Sequence, residues 1–474
     1  MASTFSLRPG RDARHMLAWV AAGTVAACVT CWAMYQELAA YRHPTVVLAG
    51  QDFWNNTWWA VRDLMSGGNI YAPTHAVIPG IEPAWPVSQH VPASLLWQAP
   101  FAALPIPVAL FAFTLASVLA IWAAVFILAR PAAPWAVLAS AACGAFAVGV
   151  GGGPETLLLG QPTAFILLGL AILVRARRPW LAGLGFLFAA TTLQTGIPLA
   201  LALLVLHGWP VLWRGMTLLS VCSAPAVGVE IANFGLRAFF GAFSSGAAFH
   251  LGQKSNRIDL GALLRAFGVT STRLQVTAGL ALVALCLVCL ASLPQHSRRI
   301  ANPPVLCLVI SMTLLCTYHQ YYDVLLVGAG VVPVIVIVDR SWLMLPSYGL
   351  AAIGATLSIY NVRDLASPLC LLAVAVGSAI AARTTARRDI ASGVTVLSLA
   401  GLAGHDHLVP QAAVDVQVVA VRLPWRRVTD IGVQRMPVVG LLHRAVSPMD
   451  RAERAVHARG RRQRSRDRRP VRGA

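Results

Sequence analysis

Long apolar runs recur through the first four-fifths of the chain, and no other feature limits the fold so tightly. The first, Met16 to Trp32, is followed by others of similar length, each able to cross roughly 30 Å of hydrocarbon as a helix. Only helices and closed barrels satisfy their backbone groups inside lipid, and a barrel needs short alternating segments that are absent here. Mean hydropathy is +0.67 and charged residues are 12% of the chain, about half of what a water-soluble domain carries. The fold class is therefore an all-α polytopic membrane protein.

Twelve membrane segments are expected, at roughly 16–36, 106–129, 134–150, 156–174, 180–193, 195–207, 214–234, 276–293, 303–318, 322–338, 342–360 and 366–383. The fifth and sixth are short and predict a tilted hairpin around Gln194, Thr195 and Gly196, with Pro198 as breaker. Arginine placement orients the bundle. With the N-terminus inside, Arg130, Arg175, Arg177, Arg178, Arg214, Arg298, Arg299 and Arg340 fall in short cytoplasmic loops. Two long loops, about 37–105 and 235–275, then face outward. The centre of the first, Asn55 to Ser66, has helical spacing with aromatics on one face and predicts an interfacial helix.

A net charge of +19 would ordinarily point to nucleic acid. Here the arginines sit mainly at helix ends, where they set topology, and in the last 24 residues, so no nucleic-acid partner is expected. The chain divides into a multi-pass membrane domain, 1–388, and an Arg-rich tail, 389–474, without sustained apolar periodicity, expected to be disordered in the cytoplasm and dispensable for chemistry. The pairs Cys28/Cys31 and Cys286/Cys289 lie inside apolar segments without flanking polar ligands. They read as small apolar residues, and no metal or cofactor is expected.

The first 388 residues carry only eleven carboxylates, so each is informative. Asp52 stands among tryptophans just beyond the first segment, in Gln51-Asp52-Phe53-Trp54. Other polar residues gather at the outward segment ends: Gln161 in Gly160-Gln161-Pro162-Thr163, Gln194 in the hairpin, and Tyr318-His319-Gln320-Tyr321-Tyr322-Asp323. The second long loop adds Lys254, the only lysine, and Arg257. A carboxylate that takes a hydroxyl proton, with cations that meet a phosphate, is what glycosyl transfer from a lipid phosphate requires. Asp52 and His319 are the candidate catalytic residues, Lys254 and Arg257 the candidate phosphate ligands. Gln161, Gln194, Tyr318, Tyr322 and Asp323 are expected to line the cavity. Blander roles exist: Asp52 as a helix N-cap, Asp323 as a cap of the tenth segment, Lys254 and Arg257 as solvated charges.

Taken together these stretches resemble glycosyltransferase family 87, the bacterial polyprenol-phosphate-mannose-dependent mannosyltransferases of the GT-C superfamily. The resemblance rests on Asp52-Phe53 with Leu64-Met65-Ser66-Gly67-Gly68-Asn69-Ile70-Tyr71, on the Pro-rich run Val91-Pro92 to Leu104-Pro105, on Gly160-Gln161-Pro162-Thr163-Ala164-Phe165, and on His319 to Asp323. It implies a GT-C-like bundle in the cytoplasmic membrane with an outward-facing active site and a catalytic Asp in the first outer loop. The donor would be a polyprenyl-phosphate sugar, with mannose the implied sugar, and the acceptor a glycolipid or cell-envelope glycan. The family's Lys-Pro pair in the short hairpin is replaced here by Gln194-Thr195-Gly196-Ile197-Pro198. A membrane transporter or lipid flippase is the rival, using Glu230, Asp323 and the broken hairpin as a midplane site.

Overall fold

The computed structural model describes residues 9–42, 50–71, 90–131, 133–149, 152–252, 257–317, 319–320, 323, 325–330 and 368–384. Among these the chain is helical, with two isolated β-bridges and no strands. The tail, the eleventh segment and most of the tenth lie outside the described residues.

The order begins with α1 (Pro9–Arg42), followed by a compound helix: α2 (Gln51–Phe53), a π-helical turn over Trp54–Trp58, and α3 (Trp59–Met65). Next come α4 (Pro92–Ala102), α5 (Ile106–Ala129), α6 (Pro134–Gly149), α7 (Gly153–Leu159), α8 (Thr163–Arg175), α9 (Pro179–Ala189), α10 (Leu193–His207) and α11 (Trp209–Gly252). The remainder are α12 (Leu260–Ala266), α13 (Thr272–Ala291), α14 (Pro303–Cys316), α15 (Leu325–Gly330) and α16 (Pro368–Thr384).

Among the described residues, four helices are long and apolar enough to cross a membrane unaided: α1, α5, α11 and α13. The pair α6–α7, bent by 49° at its break, makes a fifth candidate. The shorter apolar helices α8, α9, α10, α14 and α16 fall on or beside predicted segments but are below the length of a straight span. Broken and short helices are tolerated at membrane depth where protein covers their ends.

Side-chain exposure follows the bundle's layers. Helix α14 is apolar all round and buried from Pro303 to Leu315, which marks it as central. On α1, α11 and α13 large apolar side chains face outward, including Leu17, Trp32, Trp209, Val221, Leu280 and Val288. An apolar outer surface of that extent is a lipid-facing one. Cys28 and Cys31 lie on exposed parts of α1 and carry free thiols.

Helices α8 and α9 pack backbone to backbone. A Cβ at Gly169 would sit 2.5 Å from the Ala189 nitrogen, and one at Gly185 would sit 2.6 Å from that of Leu173. Small residues give such close crossings in membranes, where dispersion and packing replace the hydrophobic effect.

Two predicted boundaries change. The fourth segment, expected over 156–174, is two helices parted at Gly160-Gln161-Pro162. Gly160 is left-handed (φ 69°) and ends α7, and the proline starts a new helix. The seventh segment bends at Gly235 (φ 79°), where its end was expected, but the chain then resumes as helix to Gly252 instead of entering a loop.

Candidate active site

The site begins at the turn before α2. Gly50 is left-handed (φ 70°), its amide donates to the Leu158 carbonyl at 2.6 Å, and its own carbonyl receives the Trp54 amide at 2.8 Å. One residue thus ties the first outer segment to the end of α7 and starts a helix. Asp52 falls inside its first turn. It is not the N-cap, which is Gly50, so the capping role considered from sequence is replaced by another one. The next turn is π-helical, a form that recurs at functional sites because it shifts side-chain register by one residue.

Phe53 is fully buried against Phe113, with ring centroids 4.8 Å apart. Its other neighbour is Gly160, where a Cβ would come within 2.4 Å of the Phe53 Cβ. The absence of a side chain at Gly160 lets the α7–α8 break lie directly on α2. That contact delivers Gln161, whose Nε2 donates to Asp52 Oδ2.

Two residues on, Thr163 opens α8 and donates from Oγ1 to Asp323 Oδ1 at 2.8 Å. Asp323 Oδ2 lies 2.8 Å from His319 Nδ1 and accepts from the Gln320 amide at 3.3 Å. His319 is buried, and its Nε2 has no hydrogen-bond partner among the described residues. The same turn is held from its other side. Ile258 N donates to the His319 carbonyl at 3.0 Å, Arg257 and Gln320 form an antiparallel bridge, and Asp259 Oδ2 accepts the His319 amide at 3.3 Å.

Asp259 was not singled out in the sequence, although it is one of the few carboxylates and precedes an apolar helix. It caps α12 through Ala262 N at 3.0 Å and grips Arg257 with both oxygens, at 2.7 and 2.8 Å. Arg257, 4% exposed, is thereby committed to Asp259 within the protein. Gln194, half-buried on α10, accepts from Thr317 Oγ1 through its carbonyl at 3.0 Å, which seats the short hairpin beside the His319 turn. Lys254, Tyr318 and Tyr322 lie outside the described residues. The structure thus joins Asp52, Gln161, Asp323 and His319 in one polar constellation, with Arg257 and Gln194 bracing its rim.

Hydrogen bonding separates the two carboxylates. Burial pushes Asp52 up to about 6; the Gln161 hydrogen bond opposes this and the charge of Asp323 adds to it. Asp52 retains some exposed surface, and its Oδ1 accepts no hydrogen bond from the described residues. Both oxygens of Asp323 are occupied. Asp52 therefore has the free lone pair and the raised proton affinity that proton abstraction near neutral pH needs.

A second lock fixes the first outer segment. Glu230 on α11 is fully buried, and its Oε1 accepts the Ile70 amide at 2.6 Å. Asn233 donates to the Gly67 carbonyl at 3.2 Å, and Tyr71 packs its ring on Phe239. The Tyr71 hydroxyl donates to the His90 carbonyl at 3.2 Å, and residue 90 bridges to Thr192 at the start of α10. Burial lowers His90 to about 4, so its ring is neutral at physiological pH. Glu230, which a transporter would use for cargo, is a docking point for the protein's own Gly67–Tyr71 turn.

The family model for glycosyltransferase family 87 matches residues 90–317. The matched stretch takes in Gln161, Thr163, Gln194, Arg257 and Asp259; Asp52 precedes it, and His319 and Asp323 follow it. No curated protein and no solved structure matches the chain.

Proposed function

The chain belongs to glycosyltransferase family 87, and from that premise we propose that it moves a sugar from a polyprenyl-phosphate donor to a glycolipid or glycan acceptor of the cell envelope. The observation that carries this reading is Asp52: a carboxylate with proton affinity raised to about 6, one free oxygen, and a histidine-bearing cluster across from it.

The step balances without a cofactor. The acceptor hydroxyl attacks the anomeric carbon, its proton passes to Asp52, the bond from that carbon to the phosphate oxygen breaks, and polyprenyl phosphate leaves with the bonding pair. Gln161 orients the base. His319, positioned by Asp323 through Nδ1, presents Nε2 to the departing phosphate, where the N–H of the doubly protonated ring stabilises the developing charge. Mannose is the sugar favoured by the sequence resemblance. The arginine asymmetry supports a cytoplasmic-membrane bundle of about twelve segments with this site outward, both long loops on that face, and the tail inside.

The test is direct. Membranes with and without the expressed protein are given labelled polyprenyl-phosphate mannose, and label is followed into lipid and glycan fractions. Protein-dependent transfer is expected. Absence of transfer from this donor, with transfer from a nucleotide sugar instead, would overturn the donor assignment.

A further inference from the structure

A second surface lies on the same compound helix. It is an open groove of about 590 Å³ whose walls include Tyr41, Trp54, Trp58, Arg62, Ala103 and Ile106. Tyr41 belongs to the last turn of α1 and Ile106 opens α5, both candidate membrane spans. Two span ends meeting at one groove place it at the edge of the hydrocarbon, at headgroup depth.

Among the described residues, Arg62 is the one charged residue in the lining, and no carboxylate accompanies it. Its guanidinium is held in place. Nε donates to the Ala102 carbonyl at 3.1 Å, and Cζ lies 4.0 Å over the Trp58 ring. Trp58 is anchored in turn through Nε1 to the Leu104 carbonyl at 3.0 Å. Arg62 is exposed and makes no ion pair among the described residues, so its terminal nitrogens point outward with their donors uncommitted. A planar cation held flat on an indole is a preorganised phosphate receptor. The remaining wall is aromatic and aliphatic.

We propose that this groove binds a structural anionic phospholipid of the outer leaflet, its phosphate on Arg62 and one acyl chain against Tyr41, Trp54 and Ile106. Charge complementarity selects the anion, and the span ends select a lipid over a soluble phosphate. Trp54 follows Asp52 by two residues on one helix, so the bound lipid stiffens the element that carries the base.

The test uses the full-length protein in phosphatidylcholine nanodiscs with and without phosphatidylglycerol, and reads retained phosphatidylglycerol by native mass spectrometry. This readout is independent of sugar transfer. Arg62→Gln is expected to reduce retention about fivefold, the weight of one basic residue near an anionic lipid. Arg62→Lys, which keeps the charge but not the planar stack, restores only part of it. Ala103→Trp, which keeps Arg62 and its stacking but fills the groove, abolishes the retained lipid. Free inorganic phosphate does not compete. Retention unchanged in Arg62→Gln or in Ala103→Trp would overturn the proposal, as would displacement by free phosphate. Preferential displacement by polyprenyl phosphate would assign the groove to the donor lipid instead.

Discussion

Asp52→Asn separates a base from a structural carboxylate because it moves two observables in opposite directions. Asparagine keeps the size of the side chain and an oxygen for Gln161 but cannot take the acceptor's proton. Transfer should fall at least about a hundredfold, the lower end of what a general base contributes. Stability should rise. The folded protein raises Asp52 from an ordinary 3.8 to about 6, so the fold binds the proton more tightly than the unfolded chain does. For a raised carboxylate, that contribution is present below the unfolded value and is lost as pH climbs to about 6. At pH 8 the ionised group therefore costs the fold up to about 3 kcal/mol relative to its neutral form, at 1.36 kcal/mol for each tenfold change in proton affinity. The variant removes that cost. Thermal unfolding in detergent should show it more stable than wild type at pH 8 and nearly equal to it at pH 4. Wild-type transfer should also decline as pH drops through about 6, where the base becomes protonated. Near-normal transfer by Asp52→Asn would refute the assignment. An inactive variant that unfolds more easily at pH 8 would show that the carboxylate holds the site together and does not take the proton.

Gly160→Ala should strain a left-handed residue by about 1–2 kcal/mol and push Phe53 off its seat; the readout is loss of transfer in a protein that still inserts, and Gly160→Asn, which tolerates the left-handed backbone but brings the same Cβ against Phe53, should not restore it. Asp259→Asn leaves Arg257 buried without its counter-charge, a loss of about 3–5 kcal/mol that should appear as a lowered unfolding temperature, and a variant as stable as wild type would remove Asp259 from the frame. A cysteine at position 55 should react with a membrane-impermeant reagent from the outer side; reaction only after permeabilisation would reverse the proposed orientation.

What the sequence conveyed was set by how local the determining physics is. Helices α5, α6, α10, α13 and α14 begin and end within a few residues of their predicted limits, because apolar length and flanking proline or arginine are local signals. The break at Gly160-Gln161-Pro162 was present as a motif, but its effect depends on the approach of Phe53, which is more than a hundred residues away. Glu230 was conspicuous as a carboxylate in an apolar segment. Its partner is a backbone amide at Ile70, and amides carry no residue-type signature. Asp259 went unremarked for a related reason: an Asp before a short helix is ordinary, and only the fold sets Arg257 and the His319 amide around it. The helix over 55–66 was expected to lie on the membrane, yet Trp58, Ala60 and Val61 are buried in the protein. Helical spacing of aromatics specifies an apolar face without specifying what covers it.

The same network addresses the cation that the hairpin lacks. In place of the family's Lys-Pro pair the hairpin has Gln194-Thr195-Gly196-Ile197-Pro198, and Arg257, which bridges to the His319 turn, is neutralised by Asp259. A leaving phosphate still requires a donor. On the proposed reading His319 supplies it, and three contacts make the ring suited to do so. Asp323 fixes Nδ1, which leaves Nε2 as the outward nitrogen. Thr163 and the Gln320 amide hold Asp323 itself, so the carboxylate cannot swing away when charge develops. Thr317, bonded to the Gln194 carbonyl, joins the altered hairpin to the residue pair preceding His319. With no lysine in the hairpin, donation to the phosphate falls to the histidine of the His319 to Asp323 element, which the resemblance already includes. His319→Gln should accordingly impair transfer, while introducing lysine at Gln194 should restore part of it. Failure of Gln194→Lys to rescue, in a variant that inserts and binds donor normally, would show that the hairpin no longer faces the phosphate.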